Sequence, residues 1–291
     1  MLLTLDVGNT NIVLGIYKGR GKSAKLMHCW RLGTVHSRTA DEYGALIQSL
    51  LVGQKIPLAA IKRVAISSVV PPANRDLSVF SRLYFKTDPF FVSAQSDLGM
   101  TIRYDEPMSV GADRICNTVG AFHKYGGPLI VVDYGTATTF DVIGDNGDYL
   151  GGAIAPGIGI SMDALFHHAA RLYPVEFKTP PATMGKNTIN SMQSGAVFGF
   201  AGQTDALVRR LQKEIGKKKA KVIATGGLAT LIQKNSETLE EVDQTLTLEG
   251  LRILFERQEK LPSRGEEDKK VAGRPPKRPG ERAEKRKSKR R

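Results

Sequence analysis

Two copies of one strand–turn–strand pattern constrain this sequence more than any other feature. In the first copy, at 2–13, an apolar run ends on Asp6, Gly follows two residues later, and a second apolar run begins after the turn. The second copy, at 129–142, repeats this order around Asp133. Short apolar runs separated by turn-forming residues are typical of paired strands. The repetition predicts two similar half-proteins, each of which presents its turn to a shared cleft.

The residues of both turns suit the binding of a nucleotide's phosphates. Gly8 brings backbone N–H groups close to an anion because it has no Cβ. Short polar side chains at 9–11 in the first copy, and threonines in the second, add hydrogen-bond donors. Asp6, at the strand end, can hold a hydrated metal ion against a phosphate. An ordinary Asn/Gly hairpin turn is the alternative for the first copy, and the second copy favours the phosphate-binding interpretation.

The composition indicates a globular protein of one or two domains. The chain has 291 residues, 41% of them apolar, which is enough to bury a substantial core. Its two cysteines, Cys29 and Cys116, stand in no metal or redox spacing, which predicts a reduced, cytoplasmic location. No apolar run reaches the length that spans a membrane, so we expect a soluble protein without a membrane partner.

The positive charge is concentrated at the C-terminus. Of the net charge of +13, the segment 261–291 contributes 13 Lys/Arg against 5 Asp/Glu, while its apolar residues nearly vanish. This composition predicts a basic disordered tail. The tail either serves only solubility or holds nucleic acid or acidic partners weakly and non-specifically.

Strands and helices alternate along the chain, which is typical of an α/β fold. A helix is predicted over Thr39–Val52, with Thr39 and Glu42 as a capping box. Met100–Tyr104 is predicted as a short strand. The long helix predicted over 187–215 contains three glycines, which a helix crossing, a subunit interface or a ligand would each explain.

The segment Gly111-Ala112-Asp113-Arg114 opens a helix predicted over 115–125. It offers a carboxylate base beside a cation. Asp also simply favours the first turn of a helix, and the local pattern by itself favours that structural interpretation.

Three known motifs are absent from the sequence, namely the dinucleotide fingerprint, the P-loop and the protein-kinase set.

Six motifs, in this order, resemble those of the type III pantothenate kinases: DVGNTN at 6–11, YDEP at 104–107, GADR at 111–114, DYGTATT at 133–139, GGAIAPG at 151–157 and TGG at 225–227. The resemblance covers about residues 1–257 and leaves the tail outside. It implies the actin/acetate-kinase/hexokinase-like superfold, with two RNase-H-like α/β domains, a duplicated core and an interdomain active-site cleft. We expect domains at 1–118 and 119–260, followed by the tail at 261–291.

The resemblance also implies an activity and its partners. Members of the family phosphorylate pantothenate on its terminal hydroxyl with ATP, the first committed step of coenzyme A synthesis. The family needs a monovalent cation, potassium or ammonium, in addition to Mg²⁺. It forms a homodimer whose active site includes residues of the partner.

Carried over by matching motifs, the resemblance assigns roles to individual residues. Asp113 is the base, Asp133 is a ligand of the monovalent cation, and Asp6 is suited to holding Mg²⁺. The residues implied in ATP binding are Asp6, Val7, Gly8, Asn9, Thr10, Asn11, Ile12, Val13 and Thr136. The residues implied in pantothenate binding are Tyr104, Gly111, Ala112, Asp113, Arg114 and Thr188.

Two other functions are compatible with the same residues. The fold would also serve a kinase for a different small acceptor, a carboxylate or a sugar, with Tyr104 and the GADR segment lining another pocket. Alternatively, the chain is a nucleic-acid-binding regulatory protein that uses the basic tail. The last hypothesis predicts salt-sensitive binding that disappears on truncation near Leu261.

Overall fold

The computed structural model describes residues 1–217 and 219–260, so the predicted tail at 261–291 lies outside the described residues. The described residues form two mixed five-stranded sheets with helices packed on them, which confirms the α/β class. Within these residues, no helix combines the length and apolar character needed to cross a bilayer.

The first sheet contains β1 (Leu2–Val7), β2 (Asn11–Lys18), β3 (Lys25–Gly33), β4 (Arg63–Ser68) and β5 (Phe90–Phe91). Its strand order is β3-β2-β1-β4-β5, with β1 antiparallel to β2 and parallel to β4. The central strand β1 is buried along most of its length, because the sheet has neighbours on both of its faces.

The second sheet repeats this arrangement strand for strand. It contains β6 (Leu129–Tyr134), β7 (Ala137–Ile143), β8 (Tyr149–Pro156), β9 (Lys221–Gly226) and β10 (Glu241–Val242). The order β8-β7-β6-β9-β10 and the directions of pairing match those of the first sheet. The predicted duplication of the core is therefore confirmed.

Seven α-helices occur among the described residues, and the first has the predicted cap. The backbone N–H of Thr39 donates to the Glu42 carboxylate at 2.7 Å, and the Thr39 hydroxyl accepts from the N–H of Glu42 at 3.4 Å. The helices are α1 (Ala40–Gly53), α2 (Pro71–Phe85), α3 (Ala112–Tyr125), α4 (Ile158–His168), α5 (Thr188–Glu214), α6 (Ala229–Gln233) and α7 (Leu246–Gln258).

Helices α3 and α7 pack against each other between the two sheets. Helix α3 contacts β4 as well as β6 and β7, and α7 contacts β1, β2 and β4. The final helix of each half therefore packs against the sheet of the other half. Residues 118 and 119, where we expect one domain to end and the next to begin, both lie within α3, and the division into domains stays a prediction.

The strand predicted at Met100–Tyr104 is wrong. This segment makes a single bridge, between Ile102 and Tyr149, and belongs to neither sheet as a strand. The backbone N–H of Thr101 also donates to the side chain of Asp148 at 3.0 Å. Because the Thr101 N–H bonds to a side chain and not to a neighbouring strand, the pairing with the backbone around Tyr149 does not extend beyond one bridge.

The three glycines of α5 do not mark a helix crossing within the described part of the chain. A methyl group built on Gly195, Gly199 or Gly202 would meet no atom within 4 Å. Of the three explanations that the sequence left open, a subunit interface and a ligand remain.

Candidate active site

The two glycine-containing turns meet across the cleft between the sheets. The hydroxyls of Thr10 and Thr136 are hydrogen-bonded at 2.8 Å, which joins the β1–β2 turn to the β6–β7 turn. Both turns are closed in the same way, since Gly8 N–H donates to the Asn11 carbonyl and Gly135 N–H to the Ala137 carbonyl, each at 3.0 Å. The shared cleft predicted from the repeated pattern is therefore present.

Asp6 lies at the end of β1 with a hydroxyl as its side-chain partner. Ser67, in the parallel strand β4, donates to Asp6 Oδ1 at 3.0 Å. Burial, together with the charges of Asp113 and Asp133, raises the pKa of Asp6 to about 8. Within the described residues Asp6 has no salt bridge, so its negative charge is available to a bound cation.

Asp133 occupies the equivalent position at the end of β6. Asn117 donates to Asp133 Oδ2 at 3.0 Å, and the Thr247 hydroxyl donates to Asn117 Oδ1 at 2.7 Å, so α3 and α7 together orient this carboxylate. Burial, and then the charge of Asp113, raises its pKa to about 7. A Cβ on Gly226 would lie 2.6 Å from Asp133 Oδ1, so this close approach requires glycine at position 226.

Asp113 lies in the first turn of α3, which begins three residues earlier than predicted. Its Oδ1 accepts the backbone N–H of Arg114 at 2.8 Å. The carboxylate folds back over Gly111, where a side chain would collide with it. Burial raises the pKa of Asp113 above the usual value for a carboxyl group, and the Arg114 hydrogen bond and charge partly oppose the shift. A buried carboxylate with a raised pKa, held in one orientation at a helix start, suits proton transfer.

Arg114 is a buried cation fixed on one side by a buried carboxylate. Its Nε donates to Asp141 at 2.7 Å, and Asp141 also accepts the Tyr149 hydroxyl at 3.1 Å. The guanidinium carbon lies 5.5 Å from the centre of the Tyr149 ring. The half-exposed ring of Tyr104 lies 6.1 Å from the same Tyr149 ring. The predicted residues Tyr104 and Arg114 therefore flank one aromatic side chain.

Thr188 is separated from the other predicted pantothenate-binding residues. It begins α5 and lines a cavity of about 740 Å³ beside Lys186, Met162 and Phe200. None of the other predicted site residues lines this cavity. Within the described part of one chain, Thr188 therefore does not join the group around Asp113.

Both aspartates that end the central strands line a smaller cavity of about 70 Å³ in the cleft. In the described residues, no group of three or more His, Cys, Asp or Glu side chains could hold a metal ion by itself. Two carboxylates with room for water and phosphate oxygens suit Mg²⁺, which keeps several waters when it binds. The cavity is lined by Asp6, Val13, Arg31, Asp133, Thr225, Gly226, Gln244, Thr247 and Leu248.

Three partners of the site residues were not predicted from the sequence, namely Ser67, Asn117 and Asp141. Each is a polar residue whose side chain is fully buried. Asn117 also follows Asp113 by four residues, which places the two side chains on one face of α3. A buried polar side chain needs a hydrogen-bond partner. A polar residue at a position predicted to be buried is therefore the signal that would have identified these three.

The comparisons with known proteins agree with the sequence resemblance. The model of a family described as type III pantothenate kinase matches residues 2–210. A type III pantothenate kinase from Anaeromyxobacter sp. (strain Fw109-5) is 52% identical over 257 residues, covering 88% of this chain and 99% of the relative. A second, from Koribacter versatilis (strain Ellin345), is 49% identical over 263 residues, covering 88% and 96%.

A solved structure extends the comparison to the fold. It is a candidate 2-dehydro-3-deoxygalactonokinase from Sinorhizobium meliloti, with a TM-score of 0.56 and 12% identity, covering 90% of this chain and 98% of that one. At this identity the likeness concerns the fold alone.

Proposed function

The chain belongs to the type III pantothenate kinase family, and we propose that it transfers the γ-phosphoryl group of ATP to the terminal hydroxyl of pantothenate. This reaction is the first committed step of coenzyme A synthesis. One observation supports the proposal beyond family membership: the 2.8 Å hydrogen bond between Thr10 and Thr136 joins the two glycine-containing turns, at the ends of the strands that carry Asp6 and Asp133. The charge of Asp113, a buried carboxylate, raises the pKa values of these two aspartates.

The two turns bind the phosphates of ATP. Backbone N–H groups and short side chains at 6–13 and Thr136 approach the phosphate oxygens from both sheets. Phosphoryl transfer depends on positioning and on neutralisation of charge more than on covalent catalysis. The Thr10–Thr136 hydrogen bond supports this role, because it holds the turns at one place in the cleft.

Asp113 accepts the proton of the attacking hydroxyl. Its position in the first turn of α3 fixes the carboxylate through the Arg114 N–H, at 2.8 Å. The acceptor is bound by Tyr104 and the segment 111–114. Asp141 holds Arg114 at Nε, which leaves the two terminal nitrogens of the guanidinium for the bound substrate.

Asp6 would hold Mg²⁺ and Asp133 a monovalent cation, potassium or ammonium. These two side chains suit cations because both carboxylates are partly buried and have no salt bridge among the described residues. Each accepts a hydrogen bond from one neutral donor. When bound, such cations neutralise charge on the phosphate oxygens. The chain's own contribution is to orient the carboxylates through Ser67 and Asn117.

The protein acts as a homodimer in which Thr188 reaches the pantothenate site of the partner. Around α4 and α5, four large aliphatic side chains are at least 40% exposed, and one of them, Leu165, also lines the cavity of about 740 Å³. An apolar surface of this kind is typical of a protein–protein interface. The four residues are Ile160, Leu165, Met184 and Ile189.

A panel of acceptors tests the proposal. The purified protein is incubated with MgATP and pantothenate, acetate or a hexose, with and without potassium, and products are identified by mass spectrometry. We expect phosphopantothenate to form, and to form faster with potassium. Phosphorylation of acetate or the hexose without turnover of pantothenate would assign the fold to another acceptor. Light scattering on the same sample measures the mass, which we expect to be that of two chains.

A further inference from the structure

Arg31 lies in the wall of the phosphate cleft, and none of the predicted roles includes it. It stands on β3, where it pairs in register with Val13, the last residue of the segment expected to bind ATP. Its side chain lines the cavity of about 70 Å³ together with Asp6 and Asp133. A cation therefore occupies the same cavity as the two carboxylates that end the central strands.

The guanidinium of Arg31 crosses from the first half of the molecule to the second. A Cβ on Gly227, in the loop after β9, would lie 3.4 Å from a terminal nitrogen of Arg31. The last residue of β9 is also held, since the Gln244 side chain donates to the Gly226 carbonyl at 3.0 Å. Arg31 thus reaches from the edge of one sheet to the strand-to-helix loop of the other.

The charge of Arg31 has no partner within the chain as described. Among residues 1–217 and 219–260, no carboxylate forms a salt bridge with its guanidinium, and no side-chain hydrogen bond from it is made. Arg114 differs from Arg31 in this respect, because its Nε donates to the Asp141 carboxylate at 2.7 Å. An unpaired guanidinium beside turns built for phosphate is suited to bind phosphate oxygens in a bidentate manner.

We propose that Arg31 binds a non-transferred phosphate of the nucleotide. The guanidinium lies against the loop after β9, and Gln244 and Thr247 near the start of α7 line the same cavity. We therefore assign to Arg31 a phosphate that stays with the nucleotide, and not the one transferred beside Asp113. The contact also links the two halves, because the guanidinium lies against the Gly227 loop. This inference rests on the proposed function, in that the nucleotide is ATP.

The test compares Arg31→Met with Lys25→Met, a matched control that removes one positive charge from an exposed position on the same strand. Binding of ADP and of adenosine is measured by calorimetry, without pantothenate. We expect the Kd for ADP to rise about tenfold or more in Arg31→Met, since one charge-assisted contact is worth roughly that factor. Adenosine, which has no phosphate, should bind all three proteins equally, and Lys25→Met should match the wild type for ADP.

Kinetics supply a second measurement. The KM for ATP should rise in Arg31→Met, while the KM for pantothenate at saturating ATP stays at the wild-type value. Wild-type affinity of Arg31→Met for ADP would overturn the proposal, and so would an equal loss of ADP and adenosine binding, which would indicate a structural role. If the wild type does not phosphorylate pantothenate but its ADP affinity still depends on Arg31, the proposed function fails and this inference stands.

Discussion

At the scale of single residues, the cleft is defined by carboxylates that differ in how their charge is compensated. Asp141 is fully buried and paired with Arg114, whereas Asp6 and Asp133 receive only a hydroxyl and an amide. Burial raises the pKa of all three, to about 6 for Asp141, about 8 for Asp6 and about 7 for Asp133. The paired carboxylate orients a side chain, and the unpaired ones are left to interact with ligands.

Replacement of Asp141 by Asn tests the buried ion pair. The Arg114 guanidinium would lose its carboxylate in a site where both side chains are shielded from water, at 9% and 0% exposure. We expect the free energy of unfolding to fall by about 3–5 kcal/mol, the usual cost of an unpaired buried charge. Urea denaturation measures it. Asp88→Asn breaks an exposed pair with Arg82 and should lower the free energy of unfolding by less than about 1 kcal/mol. Equal losses in the two variants would show that the buried pair is worth no more than the exposed one.

At the scale of elements, α3 and α7 position most of the site. Their N-terminal ends carry Asp113 and Thr247, and Asn117 connects α7 through α3 to Asp133. The two helices touch backbone to backbone, since a Cβ on Gly250 would collide with the carbonyl of Cys116. Glycine is needed at this crossing for close approach, although it lowers helix propensity.

The substitution Gly250→Ala tests this crossing. Alanine should stabilise an isolated helix by about 1 kcal/mol, but here the methyl group would force α3 and α7 apart. We expect a net destabilisation of about 1–3 kcal/mol, as in other overpacked cores, together with reduced kinase activity because Asp113 moves. Thermal unfolding and steady-state rates measure both. Gly53→Ala, at the end of α1 with no neighbour within 4 Å, is the control, and equal stability of the two variants would contradict the account.

Most elements could be predicted from local sequence, because their signals are local. The capping box of α1 and the repeated apolar runs identified the helix and the central strands. The Met100–Tyr104 strand failed because its single bridge is to Tyr149 and the Thr101 N–H donates to the Asp148 side chain, and both of these residues are distant in sequence. For the same reason Ser67, Asn117 and Asp141 were missed: each bonds to a residue brought near only by the fold.

At the scale of the whole molecule, the proposed active site lies where the two repeated halves face each other. Neither half contains the site alone, because the Thr10–Thr136 bond and the neighbourhood of Asp6, Asp113 and Asp133 join both. The duplication and the cleft could be predicted from the repeated Asp-x-Gly pattern. The role proposed for Asp113 could not, since its local pattern is also that of an ordinary helix start. That proposal comes from the family resemblance, and the burial of Asp113 and its neighbouring carboxylates are consistent with it.

The stability of the ligand-free protein should depend on pH in a direction set by these carboxylates. The folded-state pKa values of Asp6 and Asp133, about 8 and about 7, exceed the ordinary value of 3.8. The folded protein therefore holds more protons than the unfolded chain between about pH 4 and pH 8, so its unfolding free energy falls as pH rises through this window. Asp148, with its pKa lowered to about 2, acts in the opposite sense only below that window.

Urea unfolding at several pH values, in buffer free of Mg²⁺, potassium and nucleotide, measures this dependence. The Asp6→Asn variant removes one of the titrating groups and should show a shallower fall than the wild type. A stability that rises between pH 5 and pH 8, or a slope unchanged in Asp6→Asn, would show that the burial of these carboxylates does not control the titration.

Asp113, whose charge raises the pKa values of Asp6 and Asp133, is the proposed base for phosphorylation of pantothenate. The most direct measurement is kcat with MgATP, potassium and pantothenate for the wild type, Asp113→Asn and the exposed control Asp88→Asn. We predict that Asp113→Asn loses about 10²–10⁴-fold in kcat with unchanged affinity for ATP and an unchanged circular dichroism spectrum, while Asp88→Asn keeps wild-type activity. A folded Asp113→Asn variant that turns over pantothenate at the wild-type rate would contradict the account.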